Sequence, residues 1–451
     1  MTQVADTANG SDVVTGRPTA RLPNRELIRI SLYWLGLSSI FAGLNTILTG
    51  RLEFTGLVEK QDAGRALFLV SISGAVIAML VQPTIGSISD YTISRWGRRK
   101  PYILIGSILD LVFLIGIASS NTLVALAAFI ALLQFSSNFA QGPFQGYVPD
   151  LVPAAQVGTA SALVGLMQVL GNVAGYIVGA IATATNQFEF GLIALGILEL
   201  GTMLSVVIRV REGPPPKSRA GRSWRMIAAE AWGTDILAER SFLWLVASRL
   251  AILMGGSVLV SLATFYLSRS MGLNQTDTGL VLIPLTGLVA VGTVASVIPA
   301  ARVSDRVGRK PVIWVSCAVG GVGLAIVAAA PILPVAFLGA LLYGVSAGIF
   351  LAVDWALMTD IIPKASSGRY MGLSNVATAS AGVLAVAVGG TLMDLVGGPE
   401  GGGMGPRAAL ALGIVLLGVG AVLLKPVDER RREDRIAAQE RAVAAAEVAL
   451  P

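Results

Sequence analysis

The sequence predicts an all-α membrane protein, with twelve transmembrane helices forming two pseudo-symmetric six-helix bundles. Three observations carry that expectation. Of 451 residues, 54% are hydrophobic and 13% charged, and the mean hydropathy is +0.74, far more apolar than a soluble domain requires. Apolar runs of about 20 residues, the length that crosses a hydrocarbon core, follow one another along the chain. Short motifs also recur at a constant offset of 210 residues.

The spans fall at 28–49, 65–89, 101–119, 122–146, 158–182, 188–208, 242–267, 278–300, 311–330, 333–358, 369–395 and 407–424. Lipid offers the backbone no hydrogen bonds, so each run must be a helix. The 52 glycines fit close helix approach within the membrane. Residues 1–27 read as a polar cytoplasmic tail with no short apolar core before a cleavage site, so no cleaved signal peptide is expected. Of the 33 Lys and Arg, 27 lie in segments on the N-terminal side of the membrane. Five lie opposite (Arg51, Lys60, Arg65, Arg269 and Arg407), and Arg249 lies within a span. The positive-inside rule then places both termini in the cytoplasm, for a multi-pass protein of a cell inner membrane or plasma membrane. The net charge of +6 reports this topology and not a nucleic-acid partner.

Residues 28–208 form the first bundle and 241–425 the second. A cytoplasmic linker, 209–240, joins them, and its Pro214-Pro215-Pro216 run cannot continue a helix. Within it, 223–238 has the pattern of a short surface helix with Trp224, Ile227 and Trp232 as apolar contacts. The cytoplasmic tail 426–451 reads as a solvated helix. Between spans 2 and 3 stands "GSISDYTISRWGRRKP", and between spans 8 and 9 "ARVSDRVGRKP", with Arg99-Lys100-Pro101 repeated as Arg309-Lys310-Pro311. "DLVPAAQVGTASALVGL" (150–166) repeats as "DIIPKASSGRYMGLSNV" (360–376) at the same offset. Two homologous helical halves are the mark of alternating-access carriers.

The matched turns supply candidate gating residues: Gly86, Asp90, Gly97, Arg98 and Arg99 in the first, and Asp305, Gly308 and Arg309 in the second. Asp90 and Asp305 fall at helix C-termini, where the dipole disfavours a carboxylate unless a cation or another helix's N-terminus compensates. A compensated contact between halves would form in one conformation and break in another. The alternative is a positive-inside turn with an incidental Asp.

These turns resemble the loop signatures of the major facilitator superfamily, and the likeness runs over residues 28–425. Within it, "VQPTIGSISDYTISRWGRRKPYILIG" (81–106) and "AQGPFQGYVPDL" (140–151) resemble the sucrose/proton symporters and the glycoside-pentoside-hexuronide cation symporters. The resemblance implies a sugar or glycoside carried with a cation. One departure stands out: the plant sucrose branch carries an Asp on the fourth helix and, eleven residues on, an Arg after Gly-Pro. Here those positions are Gln134 and Gln145, so neither role carries over.

Candidate substrate contacts lie on polar stripes. Span 4 offers Gln134, Asn138, Gln141 and Gln145, which at 100° per residue fall within roughly 60° of one another. Span 5 adds Ser161, Gln168, Asn172 and Tyr176, and span 1 adds Trp34, Ser38 and Asn45. Carboxamides in lipid must face helix partners or a watery cavity. Neutral donors and acceptors of this kind suit hydroxyl-rich solutes. Trp355 is placed to stack on a sugar ring or to pack as a plain indole.

Charges within spans each cost roughly 2.5–3.5 kcal/mol on insertion scales and so require a partner or a function. Arg249 and Asp354 lie at similar depth, able to form an ion pair. In the superfamily the first helix of each three-helix repeat lines the cavity, which places spans 1, 4, 7 and 10 there. On that analogy these two residues lead as coupling candidates, protonation of Asp354 releasing Arg249; the alternative is a permanent structural salt bridge. Asp110 and Glu199 are either protonated and hydrogen-bonded to each other or further coupling acids.

The reading is thus a secondary transporter, in the first place a proton-coupled sugar or glycoside symporter. Its expected partners are a small-molecule substrate, a coupling cation (H⁺) and the lipid bilayer. A carrier or exporter of another small solute, charged or amphiphilic, is the second reading, and a non-transporting membrane sensor the third. With no histidine, one cysteine (Cys317) and no paired catalytic carboxylates, an enzyme is not expected, nor a metal or cofactor. No Walker-type glycine loop is present, which excludes nucleotide-driven pumping by this chain.

Overall fold

The computed structural model describes residues 20–153, 156–212, 221, 223–226, 240–361, 367–398 and 402–428. Among them, twelve helices are long and apolar enough to cross a membrane. In chain order these are α1 Asn24–Phe54, α2 Ala63–Ser89, α3 Lys100–Ala118, α4 Leu123–Gln145, α5 Val157–Thr185 and α6 Phe188–Arg209. The second six are α7 Arg240–Phe265, α8 Gln275–Val307, α9 Arg309–Ala329, α10 Leu333–Ile361, α11 Ser367–Gly397 and α12 Met404–Leu423. A short helix, Tyr147–Leu151, follows α4.

The apolar runs fix the middle of each helix, and local chemistry fixes the ends. Thr122 caps α4 by accepting from the Ala125 amide at 3.2 Å. Pro101 sits in the first turn of α3, where a missing N–H costs nothing, and Asn186 ends α5 in the left-handed conformation at φ 56°. α1 and α8 outrun their predicted spans of 28–49 and 278–300. Polar residues at their ends keep the backbone ladder while leaving the hydrocarbon. Most of the predicted linker helix 223–238 and the tail beyond 428 lie outside the described residues. So do Pro363 and the side chain of Asp360 in the second repeated turn.

The chain divides into two compact units, Met1–Ala231 with Gly272–Ile283, and Trp232–Met271 with Pro284–Pro451. In the first, α1 packs on α5 and α6, α2 on α4, and α3 on α4 and α6. In the second, α7 packs on α11 and α12, and α9 on α10 and α12, the same pairing one repeat later. The α1–α5 seam depends on a row of small residues. A Cβ added at Gly171 or Gly175 would stand 2.3 Å from the Leu35 or Ser39 carbonyl, so the two backbones are in contact. An apolar cluster in the first unit includes Leu27, Tyr33, Ile103, Phe144 and Tyr147.

Candidate functional site

Two groups stand out among the buried charged side chains of the helices, one in each unit. In the second unit Arg249 of α7 is 7% exposed and Asp354 of α10 is 4% exposed. Arg249 Nε lies 3.3 Å from Asp354 Oδ2, and Nη1 donates to Ser374 Oγ of α11 at 2.6 Å. Nη1 also contacts the Met358 sulfur at 3.8 Å. Asp354 Oδ1 is buried with no hydrogen-bond donor among the described residues. Among the described residues the carboxylate therefore holds its arginine through one oxygen only. The Trp355 side chain lies outside the described ones.

In the first unit the group is acidic throughout. Asp110 of α3 and Glu199 of α6 are fully buried, and their carboxyls stand within hydrogen-bonding reach of each other. Ser136 and Ser137 of α4 donate to Asp110, Ser137 Oγ at 2.9 Å from Oδ2. Glu199 Oε1 lies 2.8 Å from Tyr33 Oη of α1 and 2.9 Å from Ser107 Oγ of α3. These four hydroxyl groups are not among the residues that the sequence singles out. Ser136 and Ser137 stand inside the α4 stripe and Tyr33 beside Trp34, and that adjacency is the only signal of them the sequence carries.

The α4 stripe is helical throughout. Gln134, Gln141 and Gln145 are half-buried, while Asn138 is buried and donates to the Gln134 carbonyl at 2.8 Å. The Gln134 side chain lies over Gly74 of α2, 2.5 Å from where a Cβ there would stand. Asn45, Trp34, Ser38, Gln168 and Tyr176 are half-buried; Asn172 and Ser161 are exposed. Trp34 is committed to packing, its ring tilted against Phe144 with centroids 5.8 Å apart.

The two charged turns differ in construction. Asp90, at the C-terminus of α2, accepts from Arg99 Nη2 at 2.7 Å; the same nitrogen lies 2.8 Å from Asp150 Oδ2, and Nη1 donates to the Pro143 carbonyl at 2.8 Å. Arg98 also pairs with Asp150. Both arginines are buried. Glu212 caps the start of α3, accepting from the Lys100 amide at 2.9 Å and from Tyr147 Oη at 3.1 Å, a position favoured by the helix dipole. Gly97 turns the chain there at φ 108°, and a Cβ would fall 2.2 Å from the Glu212 side chain. Gly86 lies against Gly142 of α4, an added Cβ being 3.4 Å from the Gly142 oxygen. In the second turn Gly308 has φ 95° in the same role. Arg309 Nη1 donates to Asp305 at 2.6 Å and to Ser304 Oγ at 2.7 Å, and the Asp305 side chain is 64% exposed.

Curated relatives match over part of the chain. The sucrose transport protein SUC3 of Arabidopsis thaliana is 29% identical over 237 residues, 46% of this chain and 39% of its own length. The sucrose transport protein SUT1 of Oryza sativa subsp. japonica is 30% identical over 141 residues, 26% of each chain. The proton-associated sugar transporter A of Homo sapiens is 29% identical over 226 residues, 44% of this chain and 30% of its own. The chain thus spans well under two thirds of these relatives' lengths. The nucleoside transporter NupG shares the fold at 13% identity, with a TM-score of 0.67 over 89% of this chain and 99% of that one. A D-xylose-proton symporter does so at 16% identity, with a TM-score of 0.67 over 89% and 98%. The model of the Major Facilitator Superfamily matches residues 35–295 and again 250–450. The chain therefore belongs to the Major Facilitator Superfamily and is a multi-pass membrane protein.

Proposed function

We propose that this transporter works by alternating access as a symporter, carrying a sugar or glycoside together with a proton, with both termini in the cytoplasm. One observation carries the coupling assignment: a buried Arg249–Asp354 pair in which one carboxylate oxygen has no donor among the described residues. A proton on Asp354 removes its charge and ends its ion pair with Arg249, while the hydrogen bond from Arg249 to the Ser374 hydroxyl remains. The cation is free to change partners as the helices move. An arginine and a carboxylate so buried are stable while paired and costly while separated, which ties the conformational change to proton binding. Each charge moved inward gains about 2.3 kcal/mol per 100 mV, worth more than tenfold in accumulation.

For the substrate, the half-buried carboxamides Gln134, Gln141 and Gln145 offer neutral donors and acceptors suited to hydroxyl groups. The relatives named as sucrose and proton-associated sugar transporters support the same class. Asn45, Gln168 and Asn172 belong to the proposed contacts.

The test is uptake of labelled sucrose, maltose and simple glycosides into liposomes, with and without an inward proton gradient. Gradient-stimulated uptake of any one is the expected result, and Asp354→Asn should lose the stimulation while retaining counterflow of the same sugar. No uptake across the panel would overturn the sugar reading. The glutamines at 134 and 145 would then mark a different substrate class.

A further inference from the structure

The acid pair of the first unit has no part in that proposal, yet it is the more deeply buried of the two clusters. We infer that Asp110 and Glu199 together form a proton-binding site, holding one proton between them at neutral pH and taking up a second on acidification. The inference stands apart from the choice of substrate.

Hydrogen counting carries it. The groups facing each acid are the other acid, Tyr33 from α1, Ser107 from α3 and Ser136 and Ser137 from α4, and none of these is a cation. Two buried carboxylates in contact cannot both be ionised without one. Glu199 Oε2 is buried with no hydroxyl donor among the described residues, so a proton between the carboxyls satisfies the contact. The hydroxyls donated to the remaining oxygens spread the one negative charge left over.

A place for the second proton is visible on the other side of Glu199. Tyr33 Oη and Ser107 Oγ are 2.6 Å apart, and each lies within 2.9 Å of Glu199 Oε1. That triangle has three contacts and two hydroxyl hydrogens. A proton on Oε1 supplies the third. Each uptake moves one H⁺ from water to a carboxylate oxygen, and no other bond changes. The rearrangement would be felt in α1 and α4, because Tyr33 adjoins Trp34 and Ser136–Ser137 stand between Gln134 and Asn138.

Infrared spectroscopy of the purified protein in lipid tests this directly. Asp354→Asn removes the buried acid of the second cluster and serves as the background. Subtracting the spectrum of the same protein carrying Asp110→Asn and Glu199→Gln isolates the pair. One deuterium-sensitive protonated-carboxyl band is expected at neutral pH, with its intensity doubling on acidification. No band at neutral pH means both acids are ionised and overturns the proposal. A band that does not grow down to the lowest pH the fold survives overturns it too. If the doubly substituted protein does not fold, the single variants decide. Each supplies an amide N–H to the contact and should lose the neutral-pH band, and survival of the band in either overturns sharing. The readout is not uptake, so failure of sugar symport and failure of this site are separable results.

Discussion

The two units pair their helices alike and distribute charge oppositely. Across α7 and α10 the second unit sets Arg249 against Asp354. Across α1 and α4 the first unit sets Tyr33 against Phe144, the residue 210 positions before Asp354, with ring centroids 4.8 Å apart. The reverse holds on the next helices. Asp110 of α3 faces Ser136, whereas the position 210 residues later is Gly320, where a Cβ would stand 2.5 Å from Ser346 Oγ. Ser346 instead bonds Ser316. Each unit thus keeps one polar centre and fills the corresponding place in its own bundle with apolar or small groups. One centre holds a cation and an acid, the other two acids. On the proposals made above, the first exchanges partners and the second exchanges protons.

Removing the cation of the second unit has the largest expected effect. Arg249→Ala leaves Asp354 buried without its arginine and should cost about 3–5 kcal/mol. Adding Asp354→Asn to that variant should recover most of the loss. Thermal unfolding of the two single variants and the double gives the coupling, and additive losses would show that the pair is not an energetic unit. The first unit has no equivalent experiment, because among the described residues no cation faces its acids; there, amides in place of the acids should leave the folded yield little changed.

Next in size is Arg99. Its guanidinium reaches Asp90, Asp150 and the Pro143 carbonyl from a side chain only 7% exposed, and Asp150 keeps Arg98 when Arg99 is lost. Arg99→Ala should therefore lower stability by about 1.5–3 kcal/mol, the worth of a hydrogen bond to a charged group. A falling Tm that high salt does not reproduce in the parent protein would mark the contact as buried.

Much of this architecture is legible in the sequence, for a physical reason. A lipid-spanning helix is specified by length and apolarity, so all twelve follow from the hydropathy of the chain. Arg249 and Asp354 are equally visible, since a charge in an apolar run is rare and expensive. The surroundings of Asp110 and Glu199 are not. Hydroxyl side chains are common in membrane helices and bond their own helix's carbonyls, as Ser31 does to Leu27 and Thr46 to Ala42. Only the fold distinguishes those from Ser107, Ser136 and Ser137, which turn toward an acid. The α4 stripe is legible as a face but not in its details, because Asn138 turns its amide back to the Gln134 carbonyl.

The smallest expected effect sharpens the contrast between the two repeated turns. Arg309 answers to the same motif as Arg99, but its partner Asp305, four residues earlier, is 64% exposed, and Arg309 itself is half-buried. An i,i+4 pair with one partner in water is worth about 0.3–0.5 kcal/mol. Arg309→Ala should accordingly leave the Tm within error of the parent, and 1 M salt (a Debye length of about 3 Å) should erase any residual difference. A loss as large as that of Arg99→Ala would mean that the second turn is held by contacts beyond Asp305 and Ser304. The motif would then hold its turn equally firmly in both copies, and the difference in burial between them would not be what sets their strength.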